Sequence, residues 1–239
     1  VFIPSLHTMF QKVIFCLLFL FIPLNRAAVN TVANSPFTSS EPVSELAAGE
    51  QLFEEMELGG TVNFIAFRQA VAGYNRIKEK SKPILTLIDF SKPSTEKRFF
   101  VFDMEKKKLL YSSVVAHGRN SGENYATSFS NQYGSYKSSL GFYLTENTYQ
   151  GGNGYSLILN GLEKGINDKA KARSIVVHGA PYANPSVAAS GRLGRSLGCP
   201  ALPTKLARPI INTIKDGSVM FIYANNPHYL AQSNILHKN

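Results

Sequence analysis

The sequence predicts a mostly β fold, a β-rich sandwich or barrel-like domain with a small N-terminal helical pair and a short C-terminal helix. Three observations carry this. Between residues 82 and 223, β-branched and aromatic residues recur in short alternating or continuous apolar stretches. Polar, glycine-bearing turns separate them. Helical spacing of apolar residues shows only before residue 81 and again from Lys205 to Lys215.

The elements follow in order. Met9-Phe10-Gln11-Lys12 leads into the apolar run Val13 to Leu24, whose 12 residues fall short of the roughly 20 a membrane-spanning helix needs. Asn25-Arg26-Ala27-Ala28 then offers small residues for cleavage. Residues 1–27 therefore read as a secretory signal peptide with Met9 as the expected start, and no stable membrane span is expected once it is removed. A lipid anchor at Cys16 is argued against by the bulky Phe15 before it. Residues 28–43 are rich in Ser, Thr, Pro and Asn and read as a linker. Ser44 to Leu58 and Asn63 to Lys78 carry apolar residues at helical spacing, so 44–81 is expected to be a helical segment packed on the main domain.

The main domain is expected over 82–225. Its strands are Ile84–Phe90, Arg98–Phe102, Leu109–Ala116, Leu140–Leu144, Tyr155–Leu159, Ser174–His178 and Ser218–Tyr223. Asp103–Lys107 is a hairpin turn. Residues 117–139 form a polar loop with few apolar anchors, of a length that tends to be functional. Residues 226–239 read as a polar, frayed C-terminal tail.

Composition narrows the function. The chain of 239 residues is 44% hydrophobic and 17% charged, an ordinary globular balance that fits one or two domains. Its net charge of +9 comes without a long basic run or aromatic–basic interleaving. That argues against nucleic-acid recognition and suits an acidic polymer or anionic surface. Loss of the signal peptide removes Cys16 and leaves Cys199 as the one cysteine of an exported chain. An unpaired thiol in an oxidising compartment is a reactive candidate rather than half of an internal disulfide.

The chemistry concentrates in Ser174–Leu202. The run Ile175-Val176-Val177 ends on His178, and Gly191-Arg192-Leu193-Gly194-Arg195-Ser196-Leu197-Gly198-Cys199-Pro200 surrounds the thiol with glycines. A thiolate nucleophile needs a base or a positive neighbour. His178, 21 residues upstream, is the candidate base, and Arg192 and Arg195 are candidates to favour the thiolate or bind a substrate carboxylate. The amides of Gly198 and Cys199 are candidates for an oxyanion hole. His117 also ends a strand and is placed either on the acceptor side of a cleft or as a structural hydrogen-bonder. A catalytic zinc on Cys199, His178 and His117 is conceivable, but no ligand-type spacing supports it.

His178-Gly179 followed by Ser196-Leu197-Gly198-Cys199 resembles the YkuD-type L,D-transpeptidase catalytic domains that cross-link bacterial peptidoglycan. Ala116-His117-Gly118, Phe129-Ser130-Asn131, Ser138-Ser139-Leu140-Gly141 and Gly194-Arg195-Ser196-Leu197-Gly198-Cys199-Pro200-Ala201 resemble the murein L,D-transpeptidase branch of that family. The resemblance covers roughly residues 60–225. It implies Cys199 as nucleophile, His178 as base, and the Gly179 carbonyl as the group that orients the imidazole. Peptidoglycan peptide stems are the implied partners, the cell envelope or periplasm the implied location, and no cofactor is implied. Ser196, Arg192, Arg195 and His117 are the expected substrate-side residues. The chain departs from the common pattern twice: Leu197 stands where the family has a second histidine, and Ala201 where it has an arginine. The implied reaction is acyl transfer, with an L,D-carboxypeptidase or a non-catalytic wall-binding protein as alternatives.

Overall fold

The computed structural model describes residues 43–237. The expected signal peptide, and the expected linker up to residue 42, lie outside the described residues.

Helices α1 (Val43–Glu55) and α2 (Phe64–Arg76) open the structure. Asn63 caps α2, its side-chain oxygen accepting from the amides of Ile65 and Ala66. Aromatic rings join the helices to each other and to the sheet. Phe53 meets Phe64 and Phe67 at 5.1 and 5.6 Å, and Phe67 lies edge-on to Phe102 at 5.1 Å.

Eight strands form one sheet: β1 (Ile84–Asp89), β2 (Phe99–Asp103), β3 (Lys108–Ser113), β4 (Gly141–Gly151), β5 (Gly154–Gly161), β6 (Val176–Gly179), β7 (Ala201–Leu202) and β8 (Val219–Tyr223). Their spatial order is β3-β2-β1-β8-β4-β5-β6-β7. The two edge strands are first and last, and the chain just past β3 reaches across to join them. Ala116 and Ala201 exchange backbone hydrogen bonds at 2.8 and 3.2 Å. That bridge nearly closes the sheet on itself, as the barrel-like expectation requires.

Helix α4 (Thr204–Ile214) buries Ala207, Ile210, Ile211 and Ile214 and touches β1, β5 and β6. β1 is separated from the β5–β6 pair by β8 and β4 in the sheet order, so the sheet must curl around the helix to meet it. β1 pairs with β2 antiparallel and β8 parallel, and every one of its residues is buried. This explains why its sequence is apolar on both faces rather than alternating.

Three short elements carried no usable periodicity: a 3-10 turn at Pro181–Ala183, α3 (Pro185–Ala188) and the two-residue β7. The C-terminal expectation needs correction. Residues after β8 do not fray but form α5 (Pro227–Gln232), which buries Tyr229, with Ile235 and Leu236 buried behind it. Buried Glu163 anchors this end, accepting from the Phe142 amide (2.7 Å), the Tyr229 hydroxyl (3.1 Å) and the Ser233 hydroxyl. Polar residues in the tail thus satisfy a buried carboxylate rather than water.

Candidate active site

β6 delivers His178 to the site. Ser156 of β5 faces it on one side and Ala201 of β7 on the other, and the His178 amide reaches the Pro200 carbonyl at 3.5 Å. The 21-residue gap to Cys199 is closed because β7 begins two residues after the cysteine and pairs in parallel with β6. His178 is buried, with Nδ1 3.1 Å from the Gly179 carbonyl oxygen. A carbonyl accepts, so Nδ1 carries the proton and Nε2 is left as the acceptor nitrogen. Burial holds the imidazole pKa below its ordinary value, partly opposed by the bond to Gly179.

The cysteine turn is held by its own serine. Ser196 Oγ donates to the Cys199 carbonyl at 2.6 Å and accepts from the Gly198 amide at 3.0 Å. Gly198 has φ +126°, and a Cβ there would come within 2.9 Å of the Lys137 carbonyl oxygen, so only glycine fits. Ser138 Oγ donates to the Gly198 carbonyl and accepts from the Gly118 amide, both at 3.0 Å. The Cys199 thiol, 7% exposed, receives the Val176 amide at 3.4 Å and reaches the Ser174 carbonyl at 3.6 Å. Burial pushes the thiol pKa up, while the Val176 amide and the charge of Arg173 pull it down.

Four sequence expectations change here. The Gly198 amide is already bonded to Ser196, so it is not an open oxyanion donor, whereas the Cys199 amide has no hydrogen-bond partner among the described residues. Ser196 is buried and spends its hydroxyl on the turn. Arg192 and Arg195 are ion-paired. Both grip the exposed carboxylate of Glu123, at 3.0 and 2.5 Å, and Arg195 also donates to the Gly122 and Arg119 carbonyls. His117 is buried at 1% exposure. Its Nδ1 accepts from Arg98 at 2.7 Å and its Nε2 donates to the Gly122 carbonyl at 3.2 Å, so both nitrogens serve the interior.

The guanidinium whose charge lowers the thiol pKa is that of Arg173, which no sequence motif marks. Its Nη1 donates to the Ser130 carbonyl and Ser139 Oγ at 2.8 and 2.6 Å. Its Nη2 donates to the Lys137 carbonyl and Ser135 Oγ at 2.7 and 3.2 Å. A cleft of about 260 Å³ lined by Tyr149, Ile158, Lys171, Ser174, Ile175 and Val176 lies against the two backbone groups that hold the thiol. A larger one, about 750 Å³ between α1, α2 and the β2–β3 turn, is remote from this chemistry. Among the described residues no cluster of three His, Cys, Asp or Glu side chains is placed to hold a metal ion, and no helix is long and apolar enough to cross a membrane.

A profile described as the L,D-transpeptidase catalytic domain matches residues 59–223. Solved structures similar to the chain include an L,D-transpeptidase from Mycobacterium smegmatis, 13% identical over 59% of each chain with a TM-score of 0.36. L,D-transpeptidase 3 from Mycobacterium tuberculosis is 14% identical, with 59% of this chain and 61% of that chain covered and a TM-score of 0.38. An L,D-transpeptidase from Stackebrandtia nassauensis is 13% identical over 78% of this chain and 81% of that one, with a TM-score of 0.36. The chain spans about 59% of the length of the mycobacterial protein from M. smegmatis. No curated protein matches the sequence.

Proposed function

The chain belongs to the L,D-transpeptidase catalytic domain family, and from that premise we propose that it is a cysteine acyltransferase acting on the peptide stems of peptidoglycan. The observation that carries this is the pairing of β6 with β7, which brings a histidine with one free ring nitrogen onto the strand beside a lone thiol. Nδ1 is tied to the Gly179 carbonyl, so Nε2 is the nitrogen that would take the thiol proton. A pKa lowered by burial keeps that nitrogen unprotonated at neutral pH. Because burial also raises the thiol pKa, proton transfer would accompany attack rather than precede it.

In the first step Cys199 Sγ attacks the carbonyl that follows the L-centre of the stem diamino acid, and His178 takes its proton. The Cys199 amide donates to the oxyanion. The C–N bond to terminal D-Ala breaks, the amine leaves with the proton from His178, and a thioester remains. In the second step the side-chain amine of another stem attacks the thioester. A new amide forms, the thiol is released, and two stems are cross-linked. Water in place of that amine gives L,D-carboxypeptidase activity. Arg192 and Arg195 would offer a stem carboxylate the chemistry they now offer Glu123. Acidic stems also suit the surplus of basic residues, and export through the N-terminal apolar segment would place the domain at the cell envelope.

The test is incubation of the protein with tetrapeptide muropeptides and mass spectrometry of the products. Cross-linked dimers with loss of D-Ala support the transpeptidase. Loss of D-Ala without dimers leaves only the carboxypeptidase, and untouched tetrapeptides overturn both. One observation favours a second reading, a non-catalytic wall-binding domain: the thiol is buried and its pKa raised. Iodoacetamide separates the two. Labelling of Cys199 that slows sharply in His178→Ala speaks for the enzyme, and sluggish labelling indifferent to that change speaks for the binding domain.

A further inference from the structure

Residues 128–139 form a strap whose end, Lys137 and Ser138, lies against the cysteine turn. Ser138 Oγ holds the Gly198 carbonyl from one side. On the other, the Lys137 carbonyl packs so closely on Gly198 that a Cβ there would stand 2.9 Å from its oxygen. That same oxygen accepts from Arg173 at 2.7 Å. Arg173 also holds Ser139 Oγ, Ser135 Oγ and the Ser130 carbonyl, so one guanidinium spends four donors on the strap. In the chain it directly precedes Ser174, whose carbonyl faces the thiol. Ser174 itself has φ +56°, a turn that leads from the arginine into β6.

We propose that Arg173 is a positioning residue for the Cys199 nucleophile: it presses the strap onto the Gly198–Cys199 turn and stands as the fixed positive charge for the thiolate. This deepens the reading of Cys199 as nucleophile and rests on it. Arg173 is the cation whose charge lowers the thiol pKa. Tyr182 on the 3-10 turn also interacts with the thiol, and His178 stands on β6, the strand whose Val176 amide meets it. Burial pushes the Tyr182 phenol up to about 12, so it stays neutral at ordinary pH. Lys137 belongs to the strap but turns its ammonium to Ser128 Oγ at 2.7 Å. A planar guanidinium can make four such bonds at once and an ammonium cannot, so the strap role needs arginine while the charge role tolerates lysine.

The experiment is the pH profile of Cys199 alkylation by iodoacetamide in the full chain, alongside thermal unfolding. In Arg173→Gln the midpoint is expected to move to higher pH and the rate at pH 7 to fall about threefold or more. In Arg173→Lys the midpoint is expected to stay near wild type, with a lower melting temperature as the strap loosens. A midpoint unmoved in folded Arg173→Gln overturns the proposal. So does an equal shift in the Gln and Lys variants, which would mean packing rather than charge. If Arg173→Gln does not fold, Ser139→Ala carries the test, because it removes one of the four bonds that fix the guanidinium and leaves Nη1 only the Ser130 carbonyl; an unchanged midpoint there overturns it. Alkylation needs no muropeptide, so a shifted midpoint together with untouched tetrapeptides would sink the transpeptidase reading and leave the positioning role standing.

Discussion

His117 and His178 look alike in sequence and are opposites in the fold. Each ends an extended apolar stretch, each is followed by glycine, and each is nearly excluded from solvent. His117 has both ring nitrogens engaged and stands against Arg98, so burial first and that charge second hold its pKa down to about 4. His178 has one nitrogen engaged, by a neutral carbonyl, and only burial holds its pKa down. A histidine works as a base when one nitrogen is fixed and the other is unclaimed. With both claimed it is a beam.

The largest expected effect comes from removing the nitrogen of the proposed base. His178→Gln keeps a side chain of similar size but no base, and should lower the rate of D-Ala release by about 10²–10⁴-fold while the protein stays folded. A loss no greater than that of His117→Gln would erase the distinction.

Next comes the structural histidine and its pH signature. The folded pKa of about 4 lies below the ordinary 6.5, so between those values the unfolded chain binds more protons. Stability is therefore fully present above pH 6.5, declines as pH falls, and levels off below about 4. The gap corresponds to roughly 3 kcal/mol. In denaturant titrations His117→Gln should be less stable at neutral pH and should show a correspondingly flatter dependence across that window. An equally steep dependence in the variant would remove His117 from the account. His178 contributes with the same sign, because its folded pKa is also lowered.

The smallest effect separates the two following glycines. A Cβ on Gly118 would come within 2.6 Å of the Tyr136 carbonyl oxygen and 2.9 Å of the Gly198 Cα, backbone atoms of the strap and the cysteine turn. A Cβ on Gly179 meets the Ala207 methyl of α4 at 2.8 Å, with the next atom at 3.5 Å. Gly118→Ala should cost about 1–3 kcal/mol and Gly179→Ala less, read from urea midpoints. The reverse order would mean that α4 is held more rigidly than the strap.

Much of the fold was legible because burial imposes a period on the chain. Ile84–Ile88, apolar but for Thr86, and the continuous apolar run Val219–Tyr223 are buried throughout because they occupy the sheet centre, and Ile210, Ile211 and Ile214 recur because one face of α4 is covered, whereas Leu206 on the same helix is exposed. β7 escaped because two residues carry no period, and α5 escaped because its polar residues answer a partner 70 positions away, Glu163 for Ser233. At the site, Cys199 and His178 could be picked out by residue type and setting. The commitments of Gly198, Ser196, Arg192 and Arg195 could not, since each is decided by a hydrogen bond or ion pair that sequence spacing does not encode.

By itself, then, the sequence determined the longer strands and helices and marked one thiol and one imidazole as candidates, since hydrophobic period and reactive side-chain chemistry are local properties. Only the tertiary structure decided which of two His-Gly pairs has both ring nitrogens engaged and which arginine's charge lowers the thiol pKa. Those outcomes depend on which backbone carbonyls and carboxylates the curled sheet brings within about 3 Å, the range over which hydrogen bonds and ion pairs commit a polar group.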